Sequence, residues 1–498
     1  MGGLWQCGAG LALAVFGWLL PRWVAGAGRL GWAALLDAAP IVTVVLLLFL
    51  ASGRPVYAGA IAFALGGGFA FADRTVRDTL REPVLFSALS ELPQIFTHPH
   101  LYLPFAGTGL VIGAAGATLL AGLALLVAEP AVTTPHPLMT LLAFCLVAGL
   151  LWRAGYEPLL GRAARVVRRF NPTGEAFDDA ARLGPVAILL VYGIIARAER
   201  AVRQARLAPR PTAEPSSDSR PVILVQCESF FDARRALPAQ PGDFLVGYDA
   251  ACAGGTYGCL AVPAWGANST RAEFAVLTGI AEPALGYDRF NPYHALARTP
   301  IASQVWRLRQ AGYRTICLHP FDRSFYRRDL AIPALGFDKF LGRETLGGSR
   351  TPPYMSDPDL AEHILRVLDE AGPRTFIFAI TMGNHGPWLR KDAELECYLD
   401  GLVQSDAMLR TLIDGLERRC PDTVLGFYGD HLPSLPRAFA ALGFDDWRSD
   451  YAIWSRDAAP RRRNLAAHEL GRLVADIALS PRKSALRGET AGIASAAE

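Results

Sequence analysis

The charged residues of this 498-residue chain are distributed too unevenly for one water-soluble globule: 12 lie in the first 150 positions and 83 in the remaining 348. A charged share near one quarter is ordinary for a soluble domain. The second stretch, at 24%, has it and the first, at 8%, does not. Five apolar runs occupy the first part, at about 4–20, 32–51, 56–72, 105–128 and 137–152. Each is close to the roughly 17–25 residues that a helix needs to cross a hydrocarbon core. The first run has no basic segment before it and others follow, so it reads as a span rather than a cleaved signal. Arg74–Leu103 is too charged to cross and is expected as a polar, amphipathic loop. Residues 1–153 are therefore predicted to form a polytopic α-helical membrane domain of about five helices.

The basic residues complicate the topology. With five crossings and the soluble part outside, Arg22, Arg29, Arg74, Arg77 and Arg81 lie outside and only Arg54 inside. That opposes the positive-inside tendency. A sixth crossing by Gly184–Ile195 restores the bias, but about 12 residues is short for a span, and an interfacial helix suits the segment equally. Five spans is the reading adopted. Residues 154–220 are expected as a juxtamembrane helix and a Pro/Ser-rich linker, LAPRPTAEPSSDSR. A soluble domain occupies 221–480, and 481–498 reads as a disordered tail. The net charge of +3, without a basic run, argues against a nucleic-acid partner. The eight cysteines show no Cys-x-x-Cys spacing; Cys252 and Cys259 are near enough in sequence to pair.

Short β-branched or aromatic runs (Val222–Val225, Thr315–Leu318, Thr375–Ile380, Val424–Tyr428) alternate with helical stretches at Ile301–Gln310, Asp359–Glu370 and Tyr398–Arg418. Continuous apolar strands between amphipathic helices indicate an α/β domain, its sheet mainly parallel and covered on both faces. Each strand then runs into a polar residue: Glu228, His319, His385, and the pair Asp430–His431. In open α/β sheets, ligands bind beyond the carboxyl ends of the strands. Glu228, Asp430 and His431 make a hard, mixed O/N set suited to Mn²⁺ or Zn²⁺ with positions left for substrate. Gly429, just before the pair, is expected to ease a sharp turn there.

Trp265–Phe274 leads into an apolar helix, and Thr270-x-x-Glu273 fits a capping box that marks Thr270 as the N-cap. Ser269 then precedes the helix, where free N–H groups favour a phosphate. A metal-bound hydroxyl at such a position is an activated nucleophile; both hydroxyls also suit a plain helix cap. His319–Asp329 reads either as a charged loop with internal ion pairs or as an anion grip built on arginine.

In order, Glu228, Asn268–Phe274, His319 with Ser324–Asp329, Asn384–His385–Gly386–Pro387 and Gly429–Asp430–His431–Leu432–Pro433 resemble the lipoteichoic acid synthase group of the sulfatase/alkaline phosphatase superfamily. The resemblance covers the membrane part as well. It implies a bacterial inner-membrane, multi-pass protein with an extracytoplasmic, periplasmic sulfatase-like domain. It further implies a phosphoglycerol transferase that uses phosphatidylglycerol as donor and an envelope glycan or polymer as acceptor. One divalent metal, Mn²⁺ or alternatively Zn²⁺ or Mg²⁺, would be held by Glu228, Ser269, Asp430 and His431. Ser269 stands where that group has a nucleophilic threonine, with Thr270 as the alternative register. His319, Tyr326, Arg328 and His385 fall where the group grips phosphoglycerol. A phosphoethanolamine transferase and an inactive membrane scaffold are the competing functions. A sulfatase would need Cys/Ser-x-Pro-x-Arg at Ser269, which is missing.

Overall fold

The computed structural model describes residues 2–153, 157–210, 220–296, 299–388 and 393–480. The chain separates into two compact units, Met1–Ala201 and Val202–Glu498. The Pro/Ser-rich stretch 211–219 and the tail 481–498 lie outside the described residues.

The first unit is helical: α1 (Gly2–Val24), α2 (Ala33–Ser52), α3 (Pro55–Leu80), α4 (Ala88–Thr97), α5 (Pro99–Ala106), α6 (Thr108–Ala128), α7 (Pro137–Arg153), α8 (Glu157–Val167) and α9 (Ala176–Leu183), with α10 (Pro185–Arg206) running out of it. Among the described residues α1, α2, α3 and α6 are long and apolar enough to cross a membrane. The fifth expected span forms α7, a shorter apolar helix of 17 residues. Arg74–Leu103 is not the loop expected from its charge. Arg74 pairs with Asp78 (2.9 Å) and Arg77 with Asp73 (2.6 Å), each one turn apart, so the charges support α3 as far as Leu80. Gly184–Ile195 is also longer than the apolar run implied, because α10 continues through an Arg-rich second half to Arg206.

Carboxylates fix these helices at their amino ends. Asp37 accepts from the N–H groups of Val186 (2.9 Å) and Ala187 (3.0 Å) at the start of α10, and from Arg22 (2.9 Å). Glu129 accepts from Val56 (2.9 Å) and Tyr57 (2.7 Å) at the start of α3. A negative group at a helix amino end satisfies orphan donors and meets the positive dipole end. Helices α1 and α3 meet through glycine. A Cβ on Gly66 would lie 1.9 Å from the Gly17 carbonyl oxygen, and one on Gly59 2.1 Å from that of Gly10. Small residues let the two backbones touch where lipid offers no hydrophobic drive.

The second unit is built on nine strands: β1 (Val222–Cys227), β2 (Gly255–Ala261), β3 (Arg314–Leu318), β4 (Lys339–Leu341), β5 (Thr375–Ile380), β6 (Val424–Gly429), β7 (Ser449–Trp454), β8 (Arg461–Arg462) and β9 (Leu465–Ala466). The order is β4-β3-β5-β1-β6-β7-β2-β8, with β9 also on β2. Pairing is parallel from β4 to β6, whereas β7 is antiparallel to both neighbours. Its helices are α11 (Val246–Ala253), α12 (Ser269–Thr278), α13 (Pro292–Leu296), α14 (Gln304–Gln310), α15 (Arg328–Ala334), α16 (Arg343–Leu346), α17 (Asp357–Ala371), α18 (Glu394–Arg419), α19 (Pro436–Leu442) and α20 (Ala467–Leu479).

Two cores result from strand alternation. Val222 and Leu224 of β1 pack with α12, α14 and α20, whereas Ile223, Val225 and Cys227 face α11, α17 and α18. This is the two-sided apolar strand expected of a covered parallel sheet. All eight cysteines carry free thiols, Cys252 and Cys259 among them.

Candidate active site and metal centre

Strands β3, β5, β1 and β6 are consecutive neighbours, so their carboxyl ends share one edge. The residues just past those ends are His319, Thr381 to His385, Glu228, and Asp430–His431. One ligand atom from each of Glu228, Asp430 and His431 lies within 4.8 Å of the others, and all three residues are buried. Gly429 matters for a reason different from the turn expected of it. A Cβ there would lie 1.8 Å from the Phe230 carbonyl oxygen, so glycine is required by close approach of the chain behind β1.

Each ligand candidate has one atom tied down. Asp430 Oδ1 accepts from the N–H groups of Ser229 and His431, both at 2.9 Å, while its buried Oδ2 has no hydrogen-bond partner. Ser229 Oγ donates to Glu228 Oε1 at 2.9 Å. His431 Nδ1 lies 2.8 Å from the Leu432 carbonyl oxygen, which assigns the proton to Nδ1 and turns Nε2 toward the carboxylates, 3.5 Å from Glu228 and 3.6 Å from Asp430. Burial and the neighbouring Glu228 carboxylate push Asp430 up to about 6. Burial pulls the His431 imidazole down, but Asp430 and Glu228 outweigh it and raise the group. Two carboxylates and an imidazole with an orphaned buried oxygen fit a divalent cation.

Ser269 opens α12, with its Oγ 3.3 Å from His431 Nε2. The capping box does not form. Asn268, in the left-handed region (φ 64°), is the N-cap, and Thr270 lies buried inside the first turn. Glu273 is engaged elsewhere. It is fully buried, receives Arg328 Nε at 3.2 and 3.1 Å and Nη2 at 2.8 Å, and accepts from the Tyr293 hydroxyl at 2.6 Å. A buried arginine is a stronger claim on a carboxylate than an N-terminal backbone N–H. Burial alone would lower the Arg328 guanidinium; the Glu273 charge more than offsets this and keeps it protonated.

His319 is buried beside that pair, with Nδ1 3.4 Å from the Ile380 carbonyl oxygen and Nε2 3.4 Å from Arg328 Nη1. Burial, then the Arg328 charge, hold its imidazole well below the ordinary value, so it is neutral. Nε2 faces a guanidinium donor, which leaves His319 poorly placed to take up a proton. His385 is half-buried and holds the Gly386 carbonyl oxygen at 2.5 Å from Nδ1. Tyr326 is half-buried under Arg328, whose guanidinium lies 5.5 Å from the ring centre.

Two residues escaped the sequence reading. Ser229 orients both carboxylates, and only its position after Glu228 marked it. Tyr354 places its ring 6.1 Å from His385 and 6.0 Å from Phe321, and its buried hydroxyl has no partner. Burial and the Glu228 carboxylate push that hydroxyl up to about 12. Nothing in the surrounding Pro-Pro-Tyr-Met distinguishes it.

The Sulfatase family model matches residues 222–477. The chain is 29% identical over 440 residues to the capsular polysaccharide biosynthesis protein RkpI of Rhizobium meliloti, covering 83% of this chain and 80% of that one. A putative cyclic beta-1,2-glucan modification protein of the same organism is 26% identical over 302 residues, covering 57% of this chain and 46% of that one. Among solved structures, the integral membrane lipooligosaccharide phosphoethanolamine transferase A of Neisseria meningitidis shares the fold. Its TM-score is 0.51 at 14% identity, covering 94% of this chain and 95% of that one. With helices fit to cross a membrane, the chain is an integral membrane protein. Since the family model takes in just over half of the sequence, from β1 to the last turns of α20, the chain belongs to the sulfatase family.

Proposed function

We propose that this chain is a membrane phosphotransferase that moves a phosphoglycerol group from phosphatidylglycerol to a glycan or polymer of the bacterial cell envelope. The observation that carries the reading is the Ser269 hydroxyl, 3.3 Å from His431 Nε2 at the amino end of buried α12, beside three buried ligand candidates. Family membership and relatives named for capsular polysaccharide and glucan work support a glycan acceptor. In this reading the catalytic unit lies on the periplasmic side of the inner membrane, where such acceptors are found.

Ser269 Oγ attacks the phosphorus of the lipid phosphodiester and loses its proton to solvent. The bond from phosphorus to the diacylglycerol oxygen breaks, that oxygen takes up a proton from solvent, and phosphoglycerol remains on Ser269. An acceptor hydroxyl then attacks the same phosphorus and gives its proton to His385 Nε2; the bond from phosphorus to Ser269 Oγ breaks, and that oxygen takes the proton from His385. Arg328, fixed by Glu273 and backed by His319 Nε2 at 3.4 Å from Nη1, holds the phosphoryl oxygens. Glu228, Ser269, Asp430 and His431 would hold a divalent cation, Mn²⁺ in this reading and Zn²⁺ or Mg²⁺ as alternatives, whose charge makes the serine more acidic and stabilises the extra charge on the phosphoryl oxygens.

Purified full-length protein with head-group-labelled phosphatidylglycerol or phosphatidylethanolamine tests this. The expected result is label on Ser269 from the first lipid and none in Ser269→Ala. Label from the second lipid alone would make the protein a phosphoethanolamine transferase. Unchanged envelope glycans in cells carrying Ser269→Ala or Asp430→Ala would make it a scaffold.

A further inference from the structure

A cleft of about 390 Å³ opens in the second unit, well away from Ser269. The last turn of α10 and the residues just after it, α14, the carboxyl end of α12 and α20 enclose it. Among the described residues its wall carries Arg206, Arg210, Arg307 and Arg472 and no carboxylate. Arg307 is neutralised by Asp476 at 2.6 Å. Among the described residues, Arg206, Arg210 and Arg472 have no ion pair.

The cleft is held in shape by contacts that do not consume these charges. Gln304 Nε2 donates to the Thr278 carbonyl oxygen at 3.2 Å, so the end of α12 is satisfied without help from Arg472. Gly279, with φ +69°, leaves room for Arg472: a Cβ there would lie 2.8 Å from its Cγ and 3.1 Å from its Nε. Gln310 Nε2 donates to the Arg210 carbonyl oxygen at 3.4 Å and ties that segment to α14. Arg206, Arg210 and Arg472 are solvent-exposed. Exposed guanidinium groups that line one cleft without a counter-charge favour an anion they can grip with two N–H groups at once, and phosphate oxygens match that fork. The volume suits a head group rather than a polymer.

We propose that this cleft binds a phosphate-bearing group, either a lipid head group or a soluble phosphate, at a site separate from the one at Ser269. Ser269 opens α12 and Thr278 closes it, so the two sites stand about 15 Å apart along that helix. The inference is independent of the transfer reaction.

The test is hydrogen exchange on the full chain in phosphatidylcholine nanodiscs, first alone, then with inorganic phosphate, then with phosphatidylglycerol included in the disc. Slower exchange in α14 and α20 on adding phosphate supports a soluble ligand, and slowing only with phosphatidylglycerol supports a lipid head group. Arg206→Ala, Arg210→Ala and Arg472→Ala combined should weaken the effect by about tenfold or more, and raised salt should weaken it further. Arg410→Ala, which removes an exposed charge on α18, should leave it intact. Equal melting temperatures would show that the combined variant still folds. No slowing with either probe, slowing confined to 268–274 and 319–328, or slowing untouched by the combined variant would overturn the proposal.

Discussion

Glu273→Gln removes the charge opposite Arg328 and little else. The amide oxygen can still accept from Tyr293, whose hydroxyl lies 2.6 Å from Oε1. Both side chains of the pair are almost wholly buried, at 3% and 0% exposure, and three guanidinium contacts between 2.8 and 3.2 Å join them. Breaking a buried pair from one side leaves an uncompensated charge and costs roughly 3–5 kcal/mol. In a domain of this size that corresponds to a fall in melting temperature of about 6–20 °C. Arg328→Met should cost a similar amount, by stranding Glu273 instead. The double variant, with neither charge, should recover much of the loss, since a neutral replacement of a buried pair is often tolerated. Scanning calorimetry on the full chain measures all four proteins and yields the coupling directly. Lipid head-group transfer should stay lost in the double variant even as its melting temperature recovers, because Arg328 is gone. Additive losses would refute the reasoning, because they would mean that Arg328 is balanced by something other than Glu273.

Burial holds the Asp357 carboxyl at about 6, against about 3.9 when unfolded. The folded state therefore binds the proton more tightly, so this contribution is fully present below pH ~4 and is lost as pH rises through ~6. Its size is about 3 kcal/mol. Asp357→Asn, still bonded to Gly383 and Ser405, should flatten melting temperature against pH over that window. Mn²⁺ at a hundred times its Kd should raise the wild-type stability by about 2.7 kcal/mol, and Asp430→Asn should abolish the rise in a thermal scan. Gly66→Leu should reduce the yield of folded membrane protein in detergent chromatography, because its Cβ meets the Gly17 carbonyl oxygen at 1.9 Å; unchanged yield would show that α1 and α3 separate easily. Thr270→Ala should retain labelling where Ser269→Ala does not; the reverse would move the nucleophile by one residue.

Strands β1, β3, β5 and β6, with the polar residues at their carboxyl ends, were legible because a short apolar run rich in β-branched and aromatic residues needs no partner to be recognised, and all four carry one. The edge strands β8 and β9, two residues each, carry no such pattern. Local rules misled where a tertiary partner outbid them. Thr270-x-x-Glu273 satisfies the capping pattern, yet a side chain 55 residues away takes the glutamate. The charges of Arg74–Asp78 look like a loop until their pairing along one helical face is seen. Tyr354 reaches His385 through the fold alone.

The conformations that sequence rules disfavour are concentrated at the site. Six non-glycine residues among those described have positive φ, and four of them are candidate residues or adjoin one: Ser229 beside Glu228, Asn268 beside Ser269, Tyr326 itself, and Arg327 beside Arg328. Such residues cost of the order of 1–3 kcal/mol and persist only where the surroundings over-determine them. At Ser229 (φ 58°) the reason is visible. The turn aims its N–H at Asp430 Oδ1 and its hydroxyl at Glu228 Oε1, and the Tyr398 hydroxyl holds its carbonyl at 2.9 Å. One strained residue thus fixes an oxygen from each of two carboxylates on neighbouring strands, leaving Asp430 Oδ2 bare. An unstrained backbone would turn the Ser229 N–H away and leave the His431 N–H alone on Asp430 Oδ1. The left-handed turn is the means by which a stable parallel sheet keeps a buried oxygen unpaired at its edge.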